Sequence, residues 1–600
     1  MTTLTGFFQQ NSVVLHVGDE LITFESVSQE APWRVRGLKR GALGTKPAAH
    51  AAGAKARHLK EMFGLFVPNV ESTLFEEIAA NHAEIVNQCG FDGLYLDAID
   101  GSSILRGPDE AWYWGSKFVV EIQKRLKRPA GMEMSAMWHH FWQYRTRAIA
   151  WDYPRRGHER FIDLHAKGVS ESLMLPLHLG WWAFATGETP QVEATTSQVM
   201  ETLGARLIGW NAGVSIASGI NRGALKTTPL FQRGVEILRT CEEMRHANLF
   251  DEETRKKLRE PGTQFRLTKN PIGRVTFQRI DSYAAVFNVA EPWSKKIQVS
   301  TPFERQRAEF RIEALASSRT KDGSTSISSY FDPRQGEVEA SRSTGIDAAL
   351  QYDPVSQVMS LTASNSGKVS RKGAWARWVR RFDKTVNLKD RQGLEVEIEG
   401  DGSGAIVAIR LESPAHIGFG AVADRYITVD FKGRRRVTLI ESESTRWSDY
   451  DWGDAKTLYQ VYRETIDYGA IERLSLYLQN LPVDHKTQIT IHSICAVPIQ
   501  KCILKHPRIT WGEKNLTFPV EMTSGSWLEC RSPEECVHYG PLGEDLGKVL
   551  PVGEWPVLER KSTPILFGCD TGPDVPARAR ITVISAGETL AVKADDLEKP

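Results

Sequence analysis

The first candidates for chemistry are acidic residues that close an apolar run. In Gly90-Phe-Asp-Gly-Leu-Tyr-Leu-Asp97-Ala-Ile-Asp100 a strand-like stretch ends on Asp97, and Asp100 follows three residues on. A carboxylate at the C-terminal end of a parallel strand sits at the mouth where barrel enzymes assemble their sites. Glu133 lies inside the run Gly131-Met-Glu-Met-Ser-Ala-Met. Burying it there is costly unless it is paired or turned toward the mouth, which makes it the partner acid. Glu171, just before the next strand-like run, is the reserve. Two such carboxyl groups suit acid–base cleavage of an acetal: one protonates the leaving oxygen while the other attacks carbon or activates water. The plainer alternatives are a loop cap for Asp97 and an exposed turn for Asp100. Asp92, ahead of the strand, reads as a turn residue.

Directly after the Glu133 run comes Trp138-His-His-Phe-Trp-Gln-Tyr-Arg-Thr-Arg147. Trp138 and Trp142 are candidate platforms for a ligand with apolar ring faces. His139 and Arg145 are candidate partners for its hydroxyl or carboxylate groups. His178 and Trp181, in Leu175-Pro-Leu-His-Leu-Gly-Trp-Trp182, are further candidates late in another strand. The competing reading is an aromatic face packed on the core, with His178 as a satisfied core histidine. Eight of the 17 Trp residues fall between Trp112 and Trp210, and that clustering favours the ligand reading.

Other chemistries lack their residues. His139 and His140 are adjacent, not four apart as two metal ligands on one helix face must be, so no metal and no cofactor is expected. No phosphate-cradling glycine motif follows a strand, and Gly101-Ser-Ser is not a nucleophile elbow. The 75 Lys plus Arg balance 74 Asp plus Glu, which argues against nucleic acid as a partner. The basic run Lys432–Arg436 reads as a solvated strand edge. No apolar run is long enough to insert in a membrane. The seven Cys are scattered; Cys530 and Cys536 are close enough to pair, and a reduced compartment fits equally well. Met1-Thr-Thr-Leu-Thr-Gly-Phe-Phe lacks a signal peptide. The chain as it stands therefore reads as cytoplasmic, or as secreted or periplasmic if its N-terminus is truncated.

Positioning these groups requires several domains, because 600 residues are too many for one core. Residues 1–61 alternate as a small β element. Over 62–260 apolar runs alternate with helical periods, the pattern of parallel β/α architecture. The strand-like runs are Met62–Val67, Gly93–Ile99, Gly131–Met137, Ser172–Leu179 and Leu207–Ala217. Helical stretches cover Glu71–Cys89, with Leu74, Ile78, Ala79, Ile85 and Val86 expected inward, then Glu110–Leu126, Glu193–Leu203 and Leu230–Leu249. Five units are visible where a closed (β/α)8-type barrel needs eight, so an N-terminally incomplete barrel is expected. Beyond it, short alternating strands predict two or three antiparallel β-sandwich domains over 261–345, 346–500 and 501–600, with Ser317–Ser329 as a linker.

The string Gly90-Phe-Asp-Gly-Leu-Tyr-Leu-Asp97 resembles the strand ends of glycoside hydrolase barrels of the α-galactosidase-like and related groups. In those families an Asp closing the fourth strand is the nucleophile, and Asp97 is the matching residue. Residues 346–500, through Gly400-Asp-Gly-Ser-Gly-Ala, Asp430-Phe-Lys-Gly and Tyr450-Asp-Trp, resemble the galactose-binding-like sandwiches attached to polysaccharide-degrading enzymes. The resemblance implies an enzyme hydrolysing a glycosidic bond in an oligo- or polysaccharide. Two alternatives stand beside it. One is a polysaccharide lyase, with His139 or Tyr144 as base and Arg145 or Arg147 as carboxylate neutraliser. The other is a non-catalytic carbohydrate-binding or structural protein; Gly18-Asp-Glu-Leu-Ile with Arg40-Gly-Ala-Leu-Gly-Thr45 is similar to a β insert of some phage tail proteins.

Overall fold

The computed structural model describes residues 2–593, other than 6–7, 63–64, 136–140, 147–155, 164–175, 183, 187–188, 217–221, 271, 319–323, 415–420, 442–464 and 572–574. Side chains are described from Ser12 onward. The chain forms two units: Met1–Ala150 with Ser172–His178 and His416–Gly418, and Trp151–Glu171 with Leu179–Ala415 and Phe419–Pro600. Strands predominate, in several sandwich-like sheets.

In the smaller unit, Val14–Val17 and Glu20–Thr23 form a hairpin, and Ala56–His58 pairs on the other side of Val14–Val17. Glu20 holds this element together. Its carboxylate is wholly buried and accepts from Arg40 Nε at 2.7 Å and Nη2 at 2.6 Å, Gly41 N at 2.8 Å, Ala48 N at 3.1 Å and His50 Nε2 at 2.7 Å. Gly41 is required where it stands. Its φ is +61°, and an added Cβ would meet Pro47 Cδ at 2.6 Å.

The same unit contains helices Thr73–Cys89 and Ala111–Gln123 and the strands Gly93–Leu96 and Gly131–Met134, which pair in parallel. The first helix stops at Gly90, which takes the left-handed conformation that ends helices at low cost. Its inward stripe is Phe75, Ala79, Ala83 and Val86; Leu74 and Ile85, expected inward, are exposed. The phase is set by the two alanines, whose small side chains let the helix approach Leu96, Met132 and Met134 closely. The run Met62–Val67 is not a parallel strand: Glu61–Met62 and Leu65–Phe66 form a short antiparallel hairpin.

The larger unit carries helices Ser197–Trp210, Pro229–His246 and Glu252–Leu258. Leu207–Trp210, read as the start of a strand, closes the first of these helices, and the strand is Gly213–Ile216, paired with His178–Trp182. Among the described residues, 62–260 therefore shows, besides the hairpin at 61–66, two two-stranded ladders with helices beside them and no eight-stranded closed barrel. Buried Arg206 ties the helices down, bonding Asp163 at 2.7 Å and the carbonyls of Leu258 and Thr263.

Two sandwiches follow, and their strands are interleaved in sequence. One has a seven-stranded sheet in the order 264–269, 275–288, 578–589, 309–314, 527–532, 535–539, 545–548. Its second sheet contains 296–299, 563–571, 503–511, 514–517 and 552–553. The segments 264–314 and 503–589 thus share sheets and one core, built around Phe287, Phe310, Leu504, Phe518, Ile581 and Val583. The other sandwich is inserted between them. Its sheets run 346–352, 359–365, 486–497, 393–401, 432–439 and 338–342, 375–386, 471–479, 405–413, 421–429. Ser317–Ser318 pairs antiparallel with Ile499–Gln500, so the chain leaves for the insert and returns from it side by side. Cys530 and Cys536 face each other across one hairpin and form a disulfide.

Arg40 bonding holds the Glu20 carboxyl well below the usual carboxylate range. The stabilisation it brings is present above the ordinary carboxylate pKa and is lost only as pH falls through the depressed folded-state value. We expect Glu20→Gln to open this element at neutral pH, seen as faster proteolytic nicking within residues 41–58 of the full chain. Wild-type protein should resist such nicking until the pH lies well below the ordinary carboxylate range.

Candidate functional site

The parallel ladder of the smaller unit decides where its carboxylates point. Tyr95 is in register with Glu133 and Leu96 with Met134. Side chains alternate along a strand, so Leu94, Leu96, Met132 and Met134 share one face, and Tyr95 and Glu133 share the other. The first set packs on the two helices. Asp97, the residue after the strand, joins the second set: Tyr95 Oη donates to its Oδ1 at 3.3 Å. Asp97 is exposed, whereas Glu133 is only 5% exposed. The ladder thus brings a rim carboxylate and a recessed one to the same face. Ala98 N also donates to Asp97 Oδ1, at 2.9 Å, so the carboxylate caps the turn in which Ala98 has φ +56°.

The other predicted residues take varied positions. Asp100 stands in the 3-10 turn Ile99–Ser102, and its side chain lies outside the described residues. Trp138, His139 and the reserve Glu171 also lie outside them. Trp142 is half exposed in the turn after Phe141. Arg145 is buried, and its Nη1 donates to the carbonyl of Met134, which closes the end of the second strand. Thr146 N donates to Met132 O at 2.9 Å along that strand's outer edge. His178 is fully buried at the start of its strand, and Trp181 is half-buried near the end. Among the described residues, no three His, Cys, Asp or Glu side chains form a metal-ligating group, and no helix is long and apolar enough to cross a membrane.

A second group of charged residues, in the larger unit, has no local sequence signal. On strand Glu309–Ala314, Phe310 and Ile312 enter the core, so Glu309, Arg311 and Glu313 project from the opposite face of the seven-stranded sheet. Arg311 is in register with Glu529, and Glu313 with Trp527. Glu309, Arg311 and Glu529 line a cavity of about 610 Å³ with Glu201 from Ser197–Trp210 and Arg233 from Pro229–His246. Only the period-2 alternation of the strand foretells the outward charges. Nothing in the local sequence foretells which helix covers them.

No family model matches this chain, and no curated protein matches it in sequence. Solved structures similar to it include the agarase AgWH50C, at 13% identity over 29% of this chain and 24% of that chain, TM-score 0.19. A family 11 carbohydrate-binding module of the cellulosomal cellulase Lic26A-Cel5E of Clostridium thermocellum matches at 10% identity over 30% and 96%, TM-score 0.22. The isomalto-dextranase of Arthrobacter globiformis T6 matches at 8% identity over 70% and 72%, TM-score 0.21. The chain spans about a quarter of the agarase's length, and 22% of the length of another matching structure, PfGH50B. At such scores none of these likenesses establishes a shared fold or transfers an activity.

Burial pushes the Glu201 carboxyl up to about 7, although Leu267 N–H, Arg531 and Arg266 oppose the shift. Glu529 on the sheet adds to the upward push. The folded state thus keeps a proton that the unfolded chain releases near 4.5, so stability falls as pH rises from 4.5 to about 7. We expect Glu201→Gln to remove a pH-dependent loss on the order of 3 kcal/mol across that window. Urea midpoints of variant and wild type measured on either side of the window check this; parallel pH profiles would contradict it.

Proposed function

We propose that this chain is a carbohydrate-active protein that hydrolyses a glycosidic bond in an oligo- or polysaccharide. Asp97 is the nucleophile or stabilising carboxylate, and Glu133 is its acid–base partner. The observation that carries this reading is the register of the parallel ladder, which sets both carboxylates on the face turned away from the helices. Their environments differ as the two roles demand. One group is recessed from solvent, and the other lies at the rim, open to a substrate. The α-galactosidase-like group and a complete barrel belong to this proposal as its finer form, as does sugar binding by the sandwiches.

One observation favours a different reading, a non-catalytic carbohydrate-binding or structural protein. Asp97 Oδ1 caps its own turn through Ala98 N, a role that needs no substrate. The lyase reading gains no such support, since Arg145 is buried with its guanidinium on a backbone carbonyl.

The test is turnover on a panel of oligosaccharides. Asp97→Asn should abolish activity and Glu133→Gln should lower it by about 10²–10⁴-fold, both with unchanged melting temperature. Undiminished turnover by the Asp97 variant removes the proposal. Products that absorb in the near ultraviolet through a new C=C bond would identify a lyase instead.

A further inference from the structure

The cavity of about 610 Å³ on the outer face of the seven-stranded sheet contains more guanidinium donors than its own carboxylates use. Arg266 is fully engaged: it pairs with Glu309 through both terminal nitrogens and bonds Gln278 Oε1 at 3.0 and 2.8 Å. Its neighbours are not. Arg311 lies 3.5 Å from Glu313 and 5.6 Å from the centre of the Trp527 ring, and its buried Nε has no hydrogen-bond partner among the described residues. Glu529 stands opposite Arg311 in register yet accepts from Trp527 Nε1 at 3.0 Å instead. The Arg233 guanidinium lies 4.4 Å from the centre of the Tyr539 ring and donates to Gly543 O at 3.2 Å, while its buried Nε has no hydrogen-bond partner among the described residues. Arg531 is exposed and makes no hydrogen bond or ion pair among the described residues.

The carboxylates of the cavity are, by contrast, occupied. Glu309 belongs to Arg266, Glu236 pairs with Arg239, and Glu529 holds the Trp527 indole. Glu201 accepts from Leu267 N at 3.1 Å. Buried guanidinium donors without partners cost free energy, and a planar two-oxygen anion relieves that cost through parallel N–H···O bonds. The remaining wall suits a polyhydroxylated ring. Ser197, Gln198, Thr240 and Thr268 offer neutral donors and acceptors, between the apolar side chains of Ile237 and Ile280. The volume lies within the range of small-ligand sites.

We propose that this pocket binds an acidic saccharide, a sugar ring bearing a carboxylate, which Arg311 and Arg233 grip while the neutral side chains take its hydroxyls. Tyr539 keeps the Arg233 plane in place, so little side-chain freedom is lost on binding. The site stands on its own cavity and donors, and does not rest on Asp97 or Glu133.

The test is calorimetric titration of the full-length protein with digalacturonate, with the neutral disaccharide galactobiose, and with inorganic sulfate. Digalacturonate is expected to bind saturably and roughly tenfold or more tighter than galactobiose or sulfate. Arg311→Gln should weaken it by a similar factor with unchanged melting temperature. Should that variant fail to fold, Arg233→Gln, on a helix, supplies the same measurement. Equal affinity for the acidic and neutral sugars overturns the assignment, as does no binding at all or binding indifferent to both arginines. Sulfate binding as tight as digalacturonate also overturns it, reducing the pocket to a simple anion site. Because the readout is binding, loss of turnover in the Asp97 variant leaves this assignment untouched.

Discussion

The larger unit depends on one long-range ladder, the antiparallel pairing of Val275–Asn288 with Arg578–Thr589. Tyr283 faces Val583 and Ala285 faces Ile581, from nearly opposite ends of that unit. Strand Glu309–Ala314 then docks on the other edge of Arg578–Thr589, and Trp527–Ser532 docks on it in turn. The sheet cannot be completed until almost the last residues are in place. Pairing so far apart in sequence carries a large loop-closure cost, recovered only when the buried faces of both sheets meet.

The insert makes that arrangement workable. Its own core, around Val396, Ile409, Leu476 and Ile491, is separate from the host sandwich core, so it is able to bury its apolar surface without the host. The short pairing of Ser317–Ser318 with Ile499–Gln500 keeps the two ends of the host gap together. Within the insert, Arg410 and Asp424 form a buried bidentate pair at 2.7 and 2.9 Å, with Tyr477 Oη 3.2 Å from the same guanidinium. Breaking such a pair from one side would leave an uncompensated buried charge, so the pair constrains which strands lie adjacent.

Charge is handled differently on the outer face of the host sheet. There, Arg and Glu alternate across neighbouring strands beneath the helices, and several guanidinium groups are only partly neutralised. The cavity and the raised Glu201 carboxyl have the same origin: helices Ser197–Trp210 and Pro229–His246 cover polar groups without filling the space above them. The ladder of the smaller unit follows the opposite rule. Its helix-facing side is apolar and closely packed, and its carboxylates lie on the other face.

Much of the local structure was legible in the residues. Period-2 alternation located Leu394–Ile398, a near-continuous apolar run located Ala405–Leu411, and the apolar run before Asp97 placed that carboxylate at a strand end, because such patterns and turn chemistry are short-range properties. The helix before it was also legible, but its phase was not: Leu74 and Ile85 are as apolar as the buried residues, and only the close approach permitted by Ala79 and Ala83 selects the inward stripe. The shared sheet of 261–318 and 501–593 was hidden for a similar reason. Each strand there has the same alternation whichever neighbour it takes, and the neighbour is chosen by the burial of two whole faces. Sequence alone therefore determined many of the strands and helices and where the rim carboxylate falls, but not that Leu207–Trp210 belongs to a helix. Tertiary structure decided which strands meet, which carboxylates share a face and which arginines remain under-paired, because those outcomes depend on contacts between residues far apart in the sequence.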